Sequence, residues 1–136
     1  RAERLVHQKA GRAADNGARA SKPEARKEVI AVIEAQLATF RAHDGKQAYT
    51  WASAALRTQT PLRQFVLIVQ HNYPEIWANT RAEFGLVRDD GVRAKVVVQV
   101  FSREGSSGYD YGLVKEREGW RIESVLRHTP RKSDKL

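Results

Sequence analysis

The sequence predicts an α+β fold in which three N-terminal helices pack in a curved antiparallel sheet of about four main strands. Apolar residues recur at helical spacing in three patterns between residues 21 and 77, and from Arg81 they recur at every second position. The chain has 136 residues, 41% of them hydrophobic, which suffices for one core. We therefore expect one domain over residues 21–128, preceded by a basic, flexible or partly helical arm (1–20) and followed by a basic tail (129–136).

The first helix is predicted to begin at a capping box in residues 21–24. The Ser21 hydroxyl would accept a hydrogen bond from the backbone N–H of Glu24, and the Glu24 carboxylate would accept one from the N–H of Ser21. The apolar residues that follow at helical spacing define one buried stripe. They are Val29, Ile33, Leu37 and Phe40, with Ile30 and Val32 beside them.

A second helix is predicted after Asp44, which can cap it, with Gln47 three residues later completing a second capping box. One side of this helix would carry Tyr49, Ala52, Ser53 and Leu56. Because the same spacing explains Asp44 as a cap, the neighbouring His43 gives little reason to assign this pair to catalysis.

A third helix is predicted to start at Thr60 and Pro61, a capping hydroxyl followed by the residue whose fixed φ suits the first helical position. Pro74 is expected to end this helix. The apolar stripe between these limits consists of Leu62, Phe65, Val66, Val69 and Tyr73.

The second half of the chain has the alternation of a sheet with one covered face. Asp90–Gly91 and Glu118–Gly119 indicate tight turns, and residues 105–108 indicate a looser loop, so neighbouring strands should form antiparallel hairpins. The positions predicted to face the helices are Ala82, Phe84, Leu86, Ala94, Val96, Val98, Val100, Tyr109, Tyr111, Leu113, Trp120, Ile122, Ser124 and Leu126.

The opposite face of the predicted sheet is mostly polar. It carries Lys95, Gln99, Asp110, Glu116, Arg121 and Glu123. Val97 and Phe101 are apolar exceptions on this outer face, and such a patch can mark an interface. We therefore predict a homodimer formed through the outer face of the sheet.

The formal net charge of +8 belongs to the two ends of the chain. Residues 1–27 carry net +5 and residues 127–136 carry net +3, whereas the stretch between them is neutral. The ends are either simply solvated or form basic arms that contact an anionic partner such as nucleic acid, a lipid surface or an acidic protein. The sequence contains no apolar run long enough for a membrane span.

The residue types that carry most enzyme chemistry are sparse or badly placed. There is no cysteine, and the four histidines are dispersed, so we predict no metal site. No glycine-rich loop follows a strand, which gives no support for a nucleotide cofactor. His71 lies off the buried stripe, and the inward strand positions include no Asp, Glu or His. We therefore favour a noncatalytic protein.

A set of aromatic residues has two interpretations. The rings can fill the space between helices and sheet, or they can line an apolar pocket for a small hydrophobic ligand, with Tyr109 and Tyr111 as orienting donors. The candidate cavity residues are Tyr49, Trp51, Tyr73, Trp77, Tyr109, Tyr111, Trp120 and Ser124.

The chain resembles the domain of unknown function 4864 family, within the nuclear-transport-factor-two-like, cystatin-like superfamily. The resemblance covers residues 28–127 and depends on the order of four segments: QLATF, AYTWAS, the Thr60–Pro61 helix start and the closing GWRI. It implies an α+β cone whose wide end is often open. Relatives on this cone include isomerases, dehydratases and epoxide hydrolases as well as members that only bind or dimerise, so the fold alone does not define a function.

These observations favour a noncatalytic domain for small-ligand binding or protein interaction. One alternative is an enzyme of the isomerase or hydrolase kind that uses the cone cavity, which would require Asp44 or His71 to turn inward. Another is an accessory subunit docked to nucleic acid or to an assembly by its basic arms. Relatives often carry signal peptides and this chain begins at Arg1 without methionine, so we expect an exported or otherwise processed protein.

Overall fold

The computed structural model describes residues 17–129, in which five helices and six strands form an α+β fold. Most of the predicted arm and tail lies outside these residues. No helix in the described range is long and apolar enough to cross a membrane. The helices are α1 (Pro23–Arg41), α2 (Gly45–Thr50), α3 (Ala54–Gln59), α4 (Leu62–Asn72) and α5 (Pro74–Trp77).

All strand pairs in the sheet are antiparallel, as the turn signals predicted. The central strand β4 has β5 and then β6 on one side, while β2 and β3 pair with successive parts of its other edge, and β1 pairs with β3. The strands are β1 (Arg19–Ala20), β2 (Asn79–Phe84), β3 (Arg88–Asp89), β4 (Arg93–Ser102), β5 (Gly105–Glu116) and β6 (Gly119–Arg127).

Helix α1 begins without the predicted capping box. Lys22 occupies the N-cap position with no side-chain hydrogen bond, and Pro23 is the first helical residue. The backbone N–H of Ser21 donates to the carbonyl of Val87 at 2.8 Å, and its hydroxyl donates to Asp89. Ser21 therefore extends the pairing of β1 with β3, which turns its side chain away from the helix. The predicted buried stripe is confirmed, and the fully covered residues are Val29, Ile33, Leu37 and Phe40.

The predicted second helix is wrong as a single element, because the chain forms two short helices here. The Asp44 cap is confirmed, since its carboxylate accepts from the N–H of Gln47 at 3.1 Å. Residues 51–53 then leave the helical path and pair with β6: Ile122 N–H donates to Trp51 O, and Ser53 N–H donates to Ile122 O. Ser53 caps α3. Backbone pairing with the sheet edge therefore outweighs continued helix in this segment.

The start of α4 also differs from the prediction. Pro61 is the N-cap residue, and the Thr60 side chain does not cap the helix. Thr60 instead ends α3 with extended backbone angles. Phe65 and Val69 are the buried residues of α4. Pro74 does follow the end of α4, but it also opens a further helix, α5, as its first residue.

The predicted inward phase is confirmed throughout β4 and in β5 from Tyr109. Ala94, Val96, Val98, Val100, Tyr109, Tyr111 and Leu113 are all buried, and so are Trp120 and Ile122 in β6. The predicted loop at residues 105–108 is wrong, since these residues belong to β5 and the turn falls at residues 103–104.

Three residues that were predicted to face the helices, Leu86, Ser124 and Leu126, are exposed instead. β2 ends at Phe84, so Leu86 is exposed and Val87 is buried in its place. In β6 the register shifts: Gly112 pairs with Ser124 and Leu113 pairs with Ile122, which leaves Glu123 as an extra residue. Such a bulge exchanges the two faces beyond it. Ser124 and Leu126 are therefore exposed, and Val125 packs against the core.

Candidate functional site

An apolar cavity of about 270 Å³ lies between α1, α3, α4 and the strands β5 and β6. Most of its surface is apolar, although six of the lining residues have polar side chains. The apolar lining comprises Phe40, Leu56, Phe65, Ile68, Val69, Ile76, Ile122 and Val125. The polar lining comprises Gln36, Thr60, Tyr73, Tyr111, Glu123 and Ser124. A site with this lining suits a mostly apolar molecule that is held by few polar contacts.

Tyr111 contributes a buried polar group, its hydroxyl, to the cavity. The side chain is 1% exposed, and its hydroxyl has no hydrogen-bond partner among residues 17–129. Burial raises the pKa of Tyr111 far above its ordinary value, with smaller contributions from Tyr109 and Tyr73. The group is therefore a neutral hydroxyl, available to donate one hydrogen bond. Leaving such a buried donor unpaired costs about 1–3 kcal/mol.

The structure brings together three of the eight residues that the sequence analysis selected. Tyr73, Tyr111 and Ser124 line the cavity. The Tyr73 hydroxyl donates to the carbonyl of Val125 at 2.8 Å, which ties the end of α4 to β6. Ser124 is exposed rather than inward, so it lies at the edge of the cavity. Gln36 was missed; its Nε2 donates to the carbonyl of Ala48 at 3.0 Å.

The other selected aromatic residues lie outside the cavity lining. The Tyr49 hydroxyl lies 2.7 Å from the carbonyl of Thr60 and holds the end of α3. The Arg121 guanidinium lies 5.0 Å from the Trp51 ring. Trp77 packs against Phe40 and His43. Trp120 is buried, and its indole nitrogen has no partner in the described chain.

Tyr109 belongs to a polar network that the sequence analysis missed. Its hydroxyl donates to Oε1 of Glu75 at 2.5 Å, and Nη2 of Arg127 lies 3.6 Å from the same oxygen. Burial alone would raise the pKa of Glu75. The Glu75 carboxylate accepts hydrogen bonds from Tyr109, from the backbone N–H of Glu75 itself and from Ser107. These bonds and the charge of Arg127 hold the pKa of Glu75 below its ordinary value. Glu75 is therefore a stabilised carboxylate.

The proposed catalytic candidates from the helical half do not enter the cavity. His43, Asp44 and His71 are exposed, and Asp44 caps α2. Within residues 17–129 no group of three or more His, Cys, Asp or Glu side chains is arranged to hold a metal ion.

The outer face of the sheet carries more apolar surface than predicted. Val97 is 39% exposed, and Leu86 and Leu126 join it through the phase changes described above. These three residues line a groove together with charged side chains that include Arg88 and Asp110. Phe101 is covered by the guanidinium of Arg81, 3.8 Å from the ring centroid. The homodimer through this face remains a prediction.

These features define an α+β domain with an apolar cavity between its helices and its sheet. Residues 22–134 match the family described as Domain of unknown function (DUF4864), and the chain belongs to that family. The match extends past residue 128, so most of the predicted basic tail is part of it. No curated protein and no solved structure matches the chain significantly.

Proposed function

We propose that this chain is a noncatalytic binding domain of the nuclear-transport-factor-two-like cone type, which takes up a small, neutral and mostly apolar molecule in the cavity. The observation that carries this proposal is the unpartnered hydroxyl of Tyr111 in a cavity whose surface is mostly apolar. A buried polar group normally has a partner, and a ligand acceptor would supply it.

The size and charge of the cavity limit the ligand further. A volume of about 270 Å³ falls just below the range of roughly 300–1,000 Å³ that is usual for drug-sized ligands. Glu123 is the one acidic or basic residue in the lining, and it pairs with Arg93 at 3.0 Å. The ligand therefore has one acceptor, such as a carbonyl oxygen, and no net charge.

The one carboxylate in this lining, Glu123, is paired with Arg93 at 3.0 Å, which supports a binding role over an enzymatic one. Gln36 and Thr60 are neutral, and burial raises the pKa of Tyr111, which keeps its hydroxyl protonated near neutral pH. Glu75 is bonded to Tyr109 and is not part of the lining. An isomerase or hydrolase would need a carboxylate or imidazole that is free to exchange a proton with the substrate.

The test is a titration of the ¹⁵N-labelled chain with acetophenone and, separately, with the hydrocarbon ethylbenzene of equal size. Both should shift the amide signals of cavity residues, among them Phe65 and Val125. Tyr111→Phe should weaken the binding of acetophenone about fivefold, since a neutral hydrogen bond is worth about 1 kcal/mol. The binding of ethylbenzene, which has no acceptor, should stay unchanged. Absence of any shift at cavity residues for both probes would refute the proposal.

Stability measurements provide a matched control. Tyr111→Phe removes an unpaired donor, so it should raise the free energy of unfolding of the ligand-free chain by about 1 kcal/mol. Tyr73→Phe removes a hydroxyl that does have a partner, the carbonyl of Val125. This variant should therefore lower the free energy of unfolding. Equal changes in the free energy of unfolding for the two variants would contradict the conclusion that the Tyr111 hydroxyl lacks a hydrogen-bond partner.

A further inference from the structure

We infer that a second site, separate from the apolar cavity, binds a small organic anion. It is an open cleft of about 870 Å³ between the end of α1, helix α5, the start of β2 and the β4–β5 turn. Its proposed ligand has a carboxylate or phosphate group that contacts Arg41 and Arg103. A flat apolar part of the same ligand lies against Trp77.

The Arg41 side chain is held in place before any ligand arrives. Its Nη1 donates to Oδ1 of Asn79 at 2.5 Å. Asn79 is 3% exposed, and its Nδ2 donates to the carbonyls of Leu37 and Ile76 at 3.0 and 2.8 Å. A buried amide with three hydrogen bonds thus fixes an exposed guanidinium at the cleft. Side chains fixed in this way bind with less loss of conformational freedom.

The charged side chains of the cleft also favour an anion. Arg41 and Arg103 both line the cleft, and neither forms a salt bridge within the described part of the chain. Two carboxylates also line it. Glu75 is already bonded to Tyr109 and lies 3.6 Å from Arg127, whereas Glu104 is exposed on the turn and has no basic partner in residues 17–129. The guanidinium groups are therefore available to an anion, and Glu104 opposes its binding.

His43 follows the end of helix α1 and contributes its ring to the cleft. Its φ of 56° lies in the left-handed region, at the position after a helix where glycine is usual. The His43 ring packs against Trp77 with the ring centroids 5.5 Å apart, and both residues line the cleft. The left-handed conformation of His43 completes the Schellman motif that ends α1, since His43 N–H donates to Phe40 O and Asp44 N–H donates to Thr39 O, both at 2.9 Å. The two rings are tilted by 58°, so a single ring face, that of Trp77, receives the flat part of the ligand.

The test is a titration of the full ¹⁵N-labelled chain at low salt with four probes: benzoate, phenyl phosphate, inorganic phosphate and neutral benzamide. Benzoate or phenyl phosphate should shift the Trp77 indole N–H and the Arg103 amide, and added salt should weaken that binding. Benzamide should leave both signals unchanged. Inorganic phosphate should bind more weakly than the better organic anion, because it makes no contact with Trp77.

Variants separate this site from general basicity and from the cavity. The reference probe is benzoate or phenyl phosphate, whichever binds the wild-type chain more tightly. Arg41→Gln should weaken binding of this probe at least fivefold, and Glu104→Gln should strengthen its binding about twofold. Arg63→Gln, an exposed arginine on α4, is the matched control and should change nothing. Tyr111→Phe should also leave this binding unchanged. Equal binding by Arg41→Gln and Arg63→Gln, or shifts that never include Trp77, would overturn the inference.

Discussion

The hydroxyl of Tyr109 donates to Oε1 of Glu75 at 2.5 Å, and this bond joins strand β5 to the four-residue helix α5. The same carboxylate lies 3.6 Å from Arg127 on β6, whose guanidinium stands over the Tyr109 ring at 5.1 Å. Three elements that are separate in sequence therefore meet at one charged group. Their attachment depends on the ionisation of Glu75.

This network predicts a pH-dependent stability. The pKa of Glu75 is lower in the folded chain than its ordinary value of 4.5. A lowered pKa stabilises the fold above pH 4.5, and that stabilisation is lost as the pH falls through the folded-state value. Wild type should therefore unfold at a higher temperature than Glu75→Gln near neutral pH, and the difference should shrink in acid. Thermal unfolding measured by circular dichroism checks this.

Two further variants test the assignment to Glu75. Glu118→Gln, in the exposed β5–β6 turn, should leave the pH profile unchanged. Tyr109→Phe should cost about 1.5–3 kcal/mol, as expected for a hydrogen bond to a charged group. A gap between wild type and Glu75→Gln that stays constant with pH would contradict the network.

The Asp44 cap predicts a small, specific loss. Asp44→Ala should lower the free energy of unfolding by about 1 kcal/mol, because the N–H of Gln47 loses its acceptor at the start of α2. Asp44→Asn keeps an acceptor at the same position and should retain most of the stability. Urea unfolding of the two variants distinguishes capping from a general effect of charge.

The assignment of the buried face of α4 predicts a large contrast between neighbours. Phe65 is 8% exposed and Leu67 is 47% exposed on the same helix. Phe65→Ala should cost about 3–5 kcal/mol, whereas Leu67→Ala should change stability by about 0.5 kcal/mol or less. The assigned face would be wrong if urea unfolding gave the two variants similar losses.

A close approach between α2 and α4 predicts a rescue experiment. A Cβ at Gly45 would lie 2.6 Å from Cγ2 of Val66, and a β-branched side chain has little freedom to move away. Gly45→Ala should therefore destabilise the chain although alanine favours helix. Adding Val66→Ala should recover part of that loss, so the two changes should be non-additive in thermal unfolding.

Periodicity predicts strand orientation only where pairing is regular. The inward residues of β4, such as Val98, followed from alternation because that strand pairs with β5 without interruption. Ser124 was assigned to the wrong face because the extra residue Glu123 exchanges the faces of β6. No residue type in the sequence marks that bulge, since it depends on the register between two strands.

The candidate site was predictable in part for a related reason. Tyr73 and Tyr111 lie on regular apolar stripes, so their inward positions could be inferred. Glu75 was missed because Pro74 was interpreted as a helix end, although a proline followed by an acidic residue is also a helix start. The preorganised Arg41 depends on Asn79, 38 residues away, and sequence spacing gives no sign of that contact.

The pairing of residues 51–53 with Ile122 limits strand pairing between copies of this chain. β6 is the last strand of the sheet, and an open strand edge offers unpaired N–H and carbonyl groups to any other extended chain. The Trp51 carbonyl and the Ser53 N–H occupy such groups at Ile122. The chain thereby blocks part of its own edge, which protects this end of the sheet against continued growth into aggregates.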